Sequence, residues 1–144
     1  MRSAKTGMRK SFRIMALTVI FLSLTLTACG GGSPTDAARG FFENAVRKDK
    51  KALDYLCKSV LPAGEGMASG VSAIIGGTAE SSFDFGNITF TLTSESAQAA
   101  EVKLGGKLKV TVGDQSREVD LGITPLGAAP IKLIKEDGAW KVCS

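Results

Sequence analysis

No histidine occurs anywhere in the 144 residues. Histidine is the side chain whose ordinary pKa lets it exchange protons near neutral pH. Its absence excludes Ser–His–Asp and Cys–His nucleophile systems, histidine-ligated metal sites and the most usual general base. Aromatic residues make up 6% of the chain, with a single tyrosine, so any phenol donor must be Tyr55. The three cysteines, Cys29, Cys57 and Cys143, stand at no metal-ligand spacing, and neither a metal nor a cofactor is expected. No apolar run reaches the roughly 20 residues needed to span a bilayer as a helix.

The longest apolar run, Ile14–Ala28, carries no charge and follows Arg9, Lys10 and Arg13 with no acid before it. A basic stretch, a short apolar core and then small residues are the layout of an export signal. Gly30-Gly31-Gly32-Ser33-Pro34 cannot extend the run as a good helix. Met8 serves as a start as well as Met1 does. Leu26-Thr27-Ala28-Cys29-Gly30 resembles the lipobox of bacterial lipoproteins. In that family the cysteine thiol receives a diacylglyceryl group and the chain is cut just before it. The resemblance implies a signal peptide at 1–28, lipidation at Cys29 and a flexible tether through residue 33. It places the protein on the extracytoplasmic side of the cell envelope, held to a bilayer by several acyl chains, since one alone anchors only marginally. Gly30 after the cysteine resembles the pattern that permits outer-membrane location. An ordinary secretory signal followed by a chance cysteine is the competing reading.

The formal charge of +4 misleads, because five of the 18 basic residues precede Cys29. From Cys29 onward 13 basic residues face 14 acidic ones, a charge of −1. A nucleic-acid partner, which needs a basic face, is not expected. The cluster Arg47-Lys48-Asp49-Lys50-Lys51 reads as a solvated turn. Cys57 and Cys143 form an even pair in an exported domain, the setting for a disulfide. Two buried free thiols are the alternative. If Trp140 and Val142 face the helices, strict alternation turns Cys143 away from them, so a bridge requires the chain end to twist.

One domain is expected over residues 34–144. Ser33-Pro34-Thr35-Asp36 is a helix start, with a hydroxyl cap, proline first and an acid third. Ala37, Ala38, Phe41, Phe42, Ala45 and Val46 then recur at helical spacing. A second short helix is expected around Ala52–Leu56. A weaker one carries Met67, Val71, Ile74 and Ile75 and is softened by Gly66 and Gly70. From residue 83 the period becomes two. Ala100, Val102, Leu104, Gly106, Leu108, Val110 and Val112 share one face, with Lys103, Lys107 and Lys109 on the other, so Gly105-Gly106 marks a bend in one long strand. A turn at Gly113–Ser116 is expected to set Val110 opposite Val119, Leu108 opposite Leu121 and Gly106 opposite Ile123. Asp137-Gly138 closes a last hairpin with Leu133 beside Val142 and Lys135 beside Trp140.

Helices followed by a bent antiparallel sheet make an α+β fold. The segments "AARGFFENAVRKDKKALDYLC" and "IKLIKEDGAWKV" resemble those of the nuclear-transport-factor-2-like superfamily, most of all its small bacterial lipoproteins of uncharacterised function. Residues 58–82, rich in glycine, depart from that pattern. The resemblance implies a cone: a strongly curved sheet wrapped around the N-terminal helices, with a hollow at its open end. The superfamily includes isomerases, dehydratases and polyketide cyclases beside many binding modules, and fold alone does not choose among them. Its enzymes place an acid or base in the hollow. Here the one acid with apolar neighbours is Asp84, between Phe83 and Phe85, and it has no evident partner. A non-catalytic binding or interaction module is therefore expected. Tyr55, Met67, Val71, Phe83, Phe85, Phe90 and Trp140 are the candidate lining of a pocket for a small apolar ligand, or equally the filling of the core. A protein partner or a second copy of the chain would use the outer sheet face, where Lys103, Lys107, Lys109 and Arg117 are expected against Glu101 and Glu118.

Overall fold

A computed structural model describes residues 32–144. The expected signal peptide and Cys29 lie outside the described residues. The fold is α+β, with helices set in a strongly curled antiparallel half-barrel of six strands.

Helix α1 spans Pro34–Val46 and begins as its sequence dictates. The Ser33 hydroxyl accepts from Asp36 N, and the Asp36 carboxylate accepts in return from Ser33 N, a reciprocal capping box. All six residues of its apolar stripe are buried. Lys48, in the left-handed region at φ 59°, turns the chain into a 3-10 segment at Lys50–Tyr55. Helix α2, Gly64–Ile75, ends at Gly76, whose φ of 69° gives the left-handed cap.

Six strands follow: β1 Ser82–Asp84, β2 Ile88–Glu95, β3 Ala99–Val112, β4 Gln115–Asp120, β5 Ile131–Glu136 and β6 Ala139–Val142. The spine is β3. Its first half pairs with β2 and β5, and its second half with β1 and β4. Their registers run β1 and β2 end to end along one edge of β3, and β4 and β5 along the other. The change of partners falls at Gly106, at φ 81°. A Cβ there would strike the Asn87 carbonyl oxygen, so only glycine permits β2 to close against the bend. The single bent strand expected from the alternation is thus present. Ala100, Val102, Leu104, Leu108 and Val110 are buried on the inner face, against α1, while Val112 at the strand end is half exposed.

Two expectations need correction. The β3–β4 turn is Gly113-Asp114 alone, with glycine first at φ 57°, so Val112 pairs Gln115, Val110 pairs Arg117 and Leu108 pairs Val119. Alternation specifies which face a residue takes. A slip of two residues preserves the faces, and the turn chemistry decides the register. Leu121 is buried in a 3-10 turn rather than paired in the sheet, and Ile123 stands 85% exposed. Arg117, opposite Val110, lies on the inner face rather than the outer one. Its guanidinium donates to the Ile75 and Gly76 carbonyl oxygens and closes the C-terminal end of α2.

The Cys57–Cys143 disulfide is formed, with Cα atoms 5.4 Å apart. A short parallel pairing beside it brings the two cysteines together. Leu56 forms a parallel bridge to Val142, and Cys57 N donates to the Val142 carbonyl at 2.9 Å. Leu56 and Val142 share one side of this short ladder, so the next residues, Cys57 and Cys143, share the other. The last hairpin has the expected register. Asp137 and Gly138 both adopt positive φ, and Lys135 Nζ lies 5.6 Å from the centre of the Trp140 ring.

Candidate functional site

Between β4 and β5 the chain leaves the sheet for ten residues, at the level of the β3 bend. This excursion holds the 3-10 turn Leu121–Ile123 and the short helix α3, Pro125–Ala128. Asp120 Oδ1 accepts from Gly122 N at 3.0 Å and starts the turn. Leu121 anchors it in the core, and Gly127 packs so closely on the Leu104 and Leu121 carbonyls that a Cβ would not fit. The excursion is thereby held away from α2, and a cleft of about 350 Å³ opens between them.

Helix α2 contributes Met67, Val71 and Ile74 to this cleft, and the excursion contributes Leu126 and Pro130 opposite. The floor comes from Phe41 and Phe42 of α1, Leu104 of β3 and Val142 of β6. Among the described residues, Ser144 is the one lining residue with a polar side chain, and no charged side chain lines the cleft.

Two further lining residues are Gly66 and Gly70, in the interior of α2. Each destabilises a helix by about 1 kcal/mol relative to alanine. Other glycines of the fold make close approaches: a Cβ on Gly40 would overlap the Tyr55 ring, and one on Gly64 would meet Leu56 at 2.7 Å. Gly66 and Gly70 make none. Nothing lies within 4 Å of where their Cβ atoms would stand. Spaced four residues apart, they are neighbours on one helix face and leave the backbone bare along the cleft.

The residues singled out from sequence are not brought together in one pocket. Met67 and Val71 line the cleft. Phe85 and Phe90 pack on Phe42, 6.4 Å and 6.0 Å away ring centre to ring centre, and Phe83 packs on Phe85 at 6.2 Å. Arg47 covers Phe85 at 4.6 Å and Arg39 covers Phe90 at 4.9 Å. Glu43 sits between the two arginines and pairs with both. Phe42 therefore separates a filled aromatic compartment from the cleft. Trp140 is buried beneath Lys135, and Tyr55 lies over Gly40. Asp84 pairs in register with Lys109 on the outer face and is exposed. Its Oδ1 accepts from Gly86 N at 2.8 Å, a strand-end turn.

A second groove, of about 370 Å³, lies beside the 3-10 segment. Lys48, Lys50, Asp49 and Glu65 mix both signs along it, and its buried Ser72 hydroxyl already donates to the Ser69 carbonyl. Among the described residues no group of three or more histidine, cysteine, aspartate or glutamate side chains converges on a metal-sized site. No helix among them is long and apolar enough to cross a membrane. Compared with models of known protein families and with curated proteins, the sequence matches none.

Proposed function

We propose that the chain is a lipid-anchored extracytoplasmic binding domain of the cone-shaped nuclear-transport-factor-2-like kind, which holds a small apolar ligand in the cleft between α2 and the Leu121–Pro130 excursion. The observation that carries this reading is the cleft itself: about 350 Å³ of space, of ligand-pocket size, with no charged side chain among the described residues of its walls. The anchor rests on the lipobox resemblance at Cys29.

The alternative, an isomerase, dehydratase or cyclase, needs an acid or base facing its substrate. The described lining offers none, and Asp84 faces away from the hollow. Both points favour binding over proton transfer.

The test uses the chain from residue 29 with Cys29→Ser and a naphthalene sulfonate dye that fluoresces in apolar surroundings. One saturable site is expected. Ile74→Lys, at a half-exposed position on the cleft wall, should abolish the signal without lowering the thermal midpoint. Dye binding that ignores this charge would place the apolar site elsewhere and refute the reading.

A further inference from the structure

Strand β2, Ile88–Glu95, pairs with β3 along one edge and, among the described residues, with no strand along the other. One bond fixes which of its backbone groups face outward. Lys107 N donates to the Asn87 carbonyl at 3.0 Å, just before Ile88 pairs with Gly106. In an antiparallel ladder, residues bonded to the neighbouring strand alternate with residues whose backbone groups face away. Asn87, Thr89 and Thr91 therefore turn their N–H and C=O groups to β3, and Ile88, Phe90 and Leu92 turn theirs outward. Ile88 N agrees with this phase, since it donates to the Phe85 carbonyl at 3.3 Å rather than to β3. No described segment reaches the outward groups of Phe90 and Leu92. The other free edges of the sheet are blunted. Strand β1 is three residues long, β4 carries Arg117, Glu118 and Asp120, and Leu56 and Cys57 lie along β6. From Ile88 to Ser94, β2 has no charge and no proline, and its β-branched and aromatic residues suit strand pairing.

We infer that β2 pairs antiparallel with β2 of a second copy of this chain, about a twofold axis through Thr91. The strand is complementary to itself in that register. Each Phe90 stands opposite Leu92 of the other copy, and the outward N–H and C=O groups of both residues are all used in reciprocal hydrogen bonds. Leu92, 41% exposed in the single chain, is covered by Phe90, and Thr91 meets Thr91. Aromatic–aliphatic and threonine–threonine pairs both stabilise antiparallel strands. No like charges come close. Lys103, opposite Thr91 on β3, has its counterpart three strand spacings away. That is about 14 Å, beyond the screening length of about 8 Å at physiological salt. Glu95 lies past the bulge between Leu92 and Ser94, outside the paired stretch. The contact uses the edge of the sheet and leaves the lysines of its outer face in solvent. It is small and therefore reversible, and it stands independently of any ligand in the cleft.

The experiment uses the full chain in the membranes of cells that make it, with Thr91→Cys as the reporter. Opposed side chains of a non-bonded antiparallel pair stand close enough for a disulfide. Mild oxidation should give a covalent dimer on a non-reducing gel. The parent, whose Cys57 and Cys143 are already joined, is the blank. Ser116→Cys, at an exposed residue of β4, should give far less dimer. Leu92→Pro added to the reporter removes one outward donor from each copy and leaves the β3 ladder intact. It should cut the dimer at least about tenfold, because half of the bonds between the copies go with it. Leu92→Lys keeps the donor, sets a charge on the edge and should also suppress the dimer. Its thermal midpoint should hold, so it decides the matter if proline disturbs β2. Absence of a dimer from Thr91→Cys, an equal yield from Ser116→Cys, or a dimer that survives both Leu92 substitutions would overturn the pairing. A disulfide from Thr91→Cys to a different protein, with no dimer, would overturn the second copy and make this edge the seat of a foreign strand.

Discussion

Replacing Cys57 and Cys143 together by alanine removes the disulfide that ties the chain after the 3-10 segment to the end of the last strand. The bridge joins residues 86 apart in sequence. In the chain-entropy description, closing a loop of that length stabilises the folded state by about 4.6 kcal/mol at 25 °C, because the open unfolded chain has more freedom to lose. The folded geometry does not depend on the bond alone. Cys57 N still donates to the Val142 carbonyl, and Cys143 N to the Lys132 carbonyl at 2.8 Å. The double variant should therefore fold to the same structure and be less stable by about 3–5 kcal/mol. For a domain of this size that lowers the melting midpoint by about 12–20 °C. Urea unfolding followed by far-UV circular dichroism measures it directly, with a slope equal to or slightly above the parent's, since the uncrosslinked unfolded chain exposes more surface. A loss below about 1 kcal/mol with unchanged slope would refute the loop-closure reasoning. It would mean that the Leu56–Val142 ladder holds the chain end by itself.

Cys29→Ser should abolish metabolic labelling by radioactive palmitate and leave the precursor uncut; labelling that persists in this variant would sink the lipid anchor. Gly106→Ala should cost about 1–2 kcal/mol for the left-handed backbone alone, with more from the Asn87 carbonyl, and a thermal midpoint within a degree of the parent would contradict the bend. The Ser33 side chain and backbone N–H hold the Asp36 carboxyl below its ordinary pKa. Its contribution is present above the unfolded-state pKa, near about 4, and is lost as pH falls through the lower folded value. Asp36→Asn should therefore destabilise the protein at pH 7, by about 1 kcal/mol, and the gap from the parent should close in acid. A gap that stays constant down to pH 2 would exclude the capping carboxylate as its source.

Much of the scaffold was legible in the sequence because each of those features is local. Ser33 to Asp36 is one capping box, the stripe from Ala37 to Val46 is one helix face, and Asp137-Gly138 is one turn. The long β3 strand was legible through parity, which rejected a hairpin at Gly105-Gly106. Parity also marks the limit. It cannot tell a two-residue turn from a four-residue one, so the β4 register was displaced by two. That displacement placed Leu121 in the sheet and obscured the excursion. Arg117 belongs by parity with Val119 to the inner face in either register, so its expected outer position was a misreading of alternation, and its contact with the end of α2 comes from packing that parity does not describe.

The cleft was illegible for a different reason. Its walls come from α1, α2, β3, β6 and the excursion, and no periodicity relates five separate stretches of chain. Aromatic residues drew attention because their area usually dominates burial, yet Phe85 and Phe90 each meet Phe42 edge to face and Phe83 packs on Phe85, which leaves little surface for a ligand. What marks the cleft is two side chains that are not there. Gly66 and Gly70 fall in residues 58–82, the glycine-rich stretch that departs from the superfamily pattern, and within a helix they read only as weak propensity. A glycine that a fold needs for close packing has a neighbour where its Cβ would be, as Gly40 and Gly64 do. These two have open space instead. The helix forgoes about 2 kcal/mol for the pair, and packing within the described residues supplies no reason for it. Both are exposed at the edge of the cleft, and Gly70→Leu tests whether they matter to it: a more stable protein with unchanged dye binding would clear them of any role, and a more stable protein that binds less dye would set them beside the bound ligand.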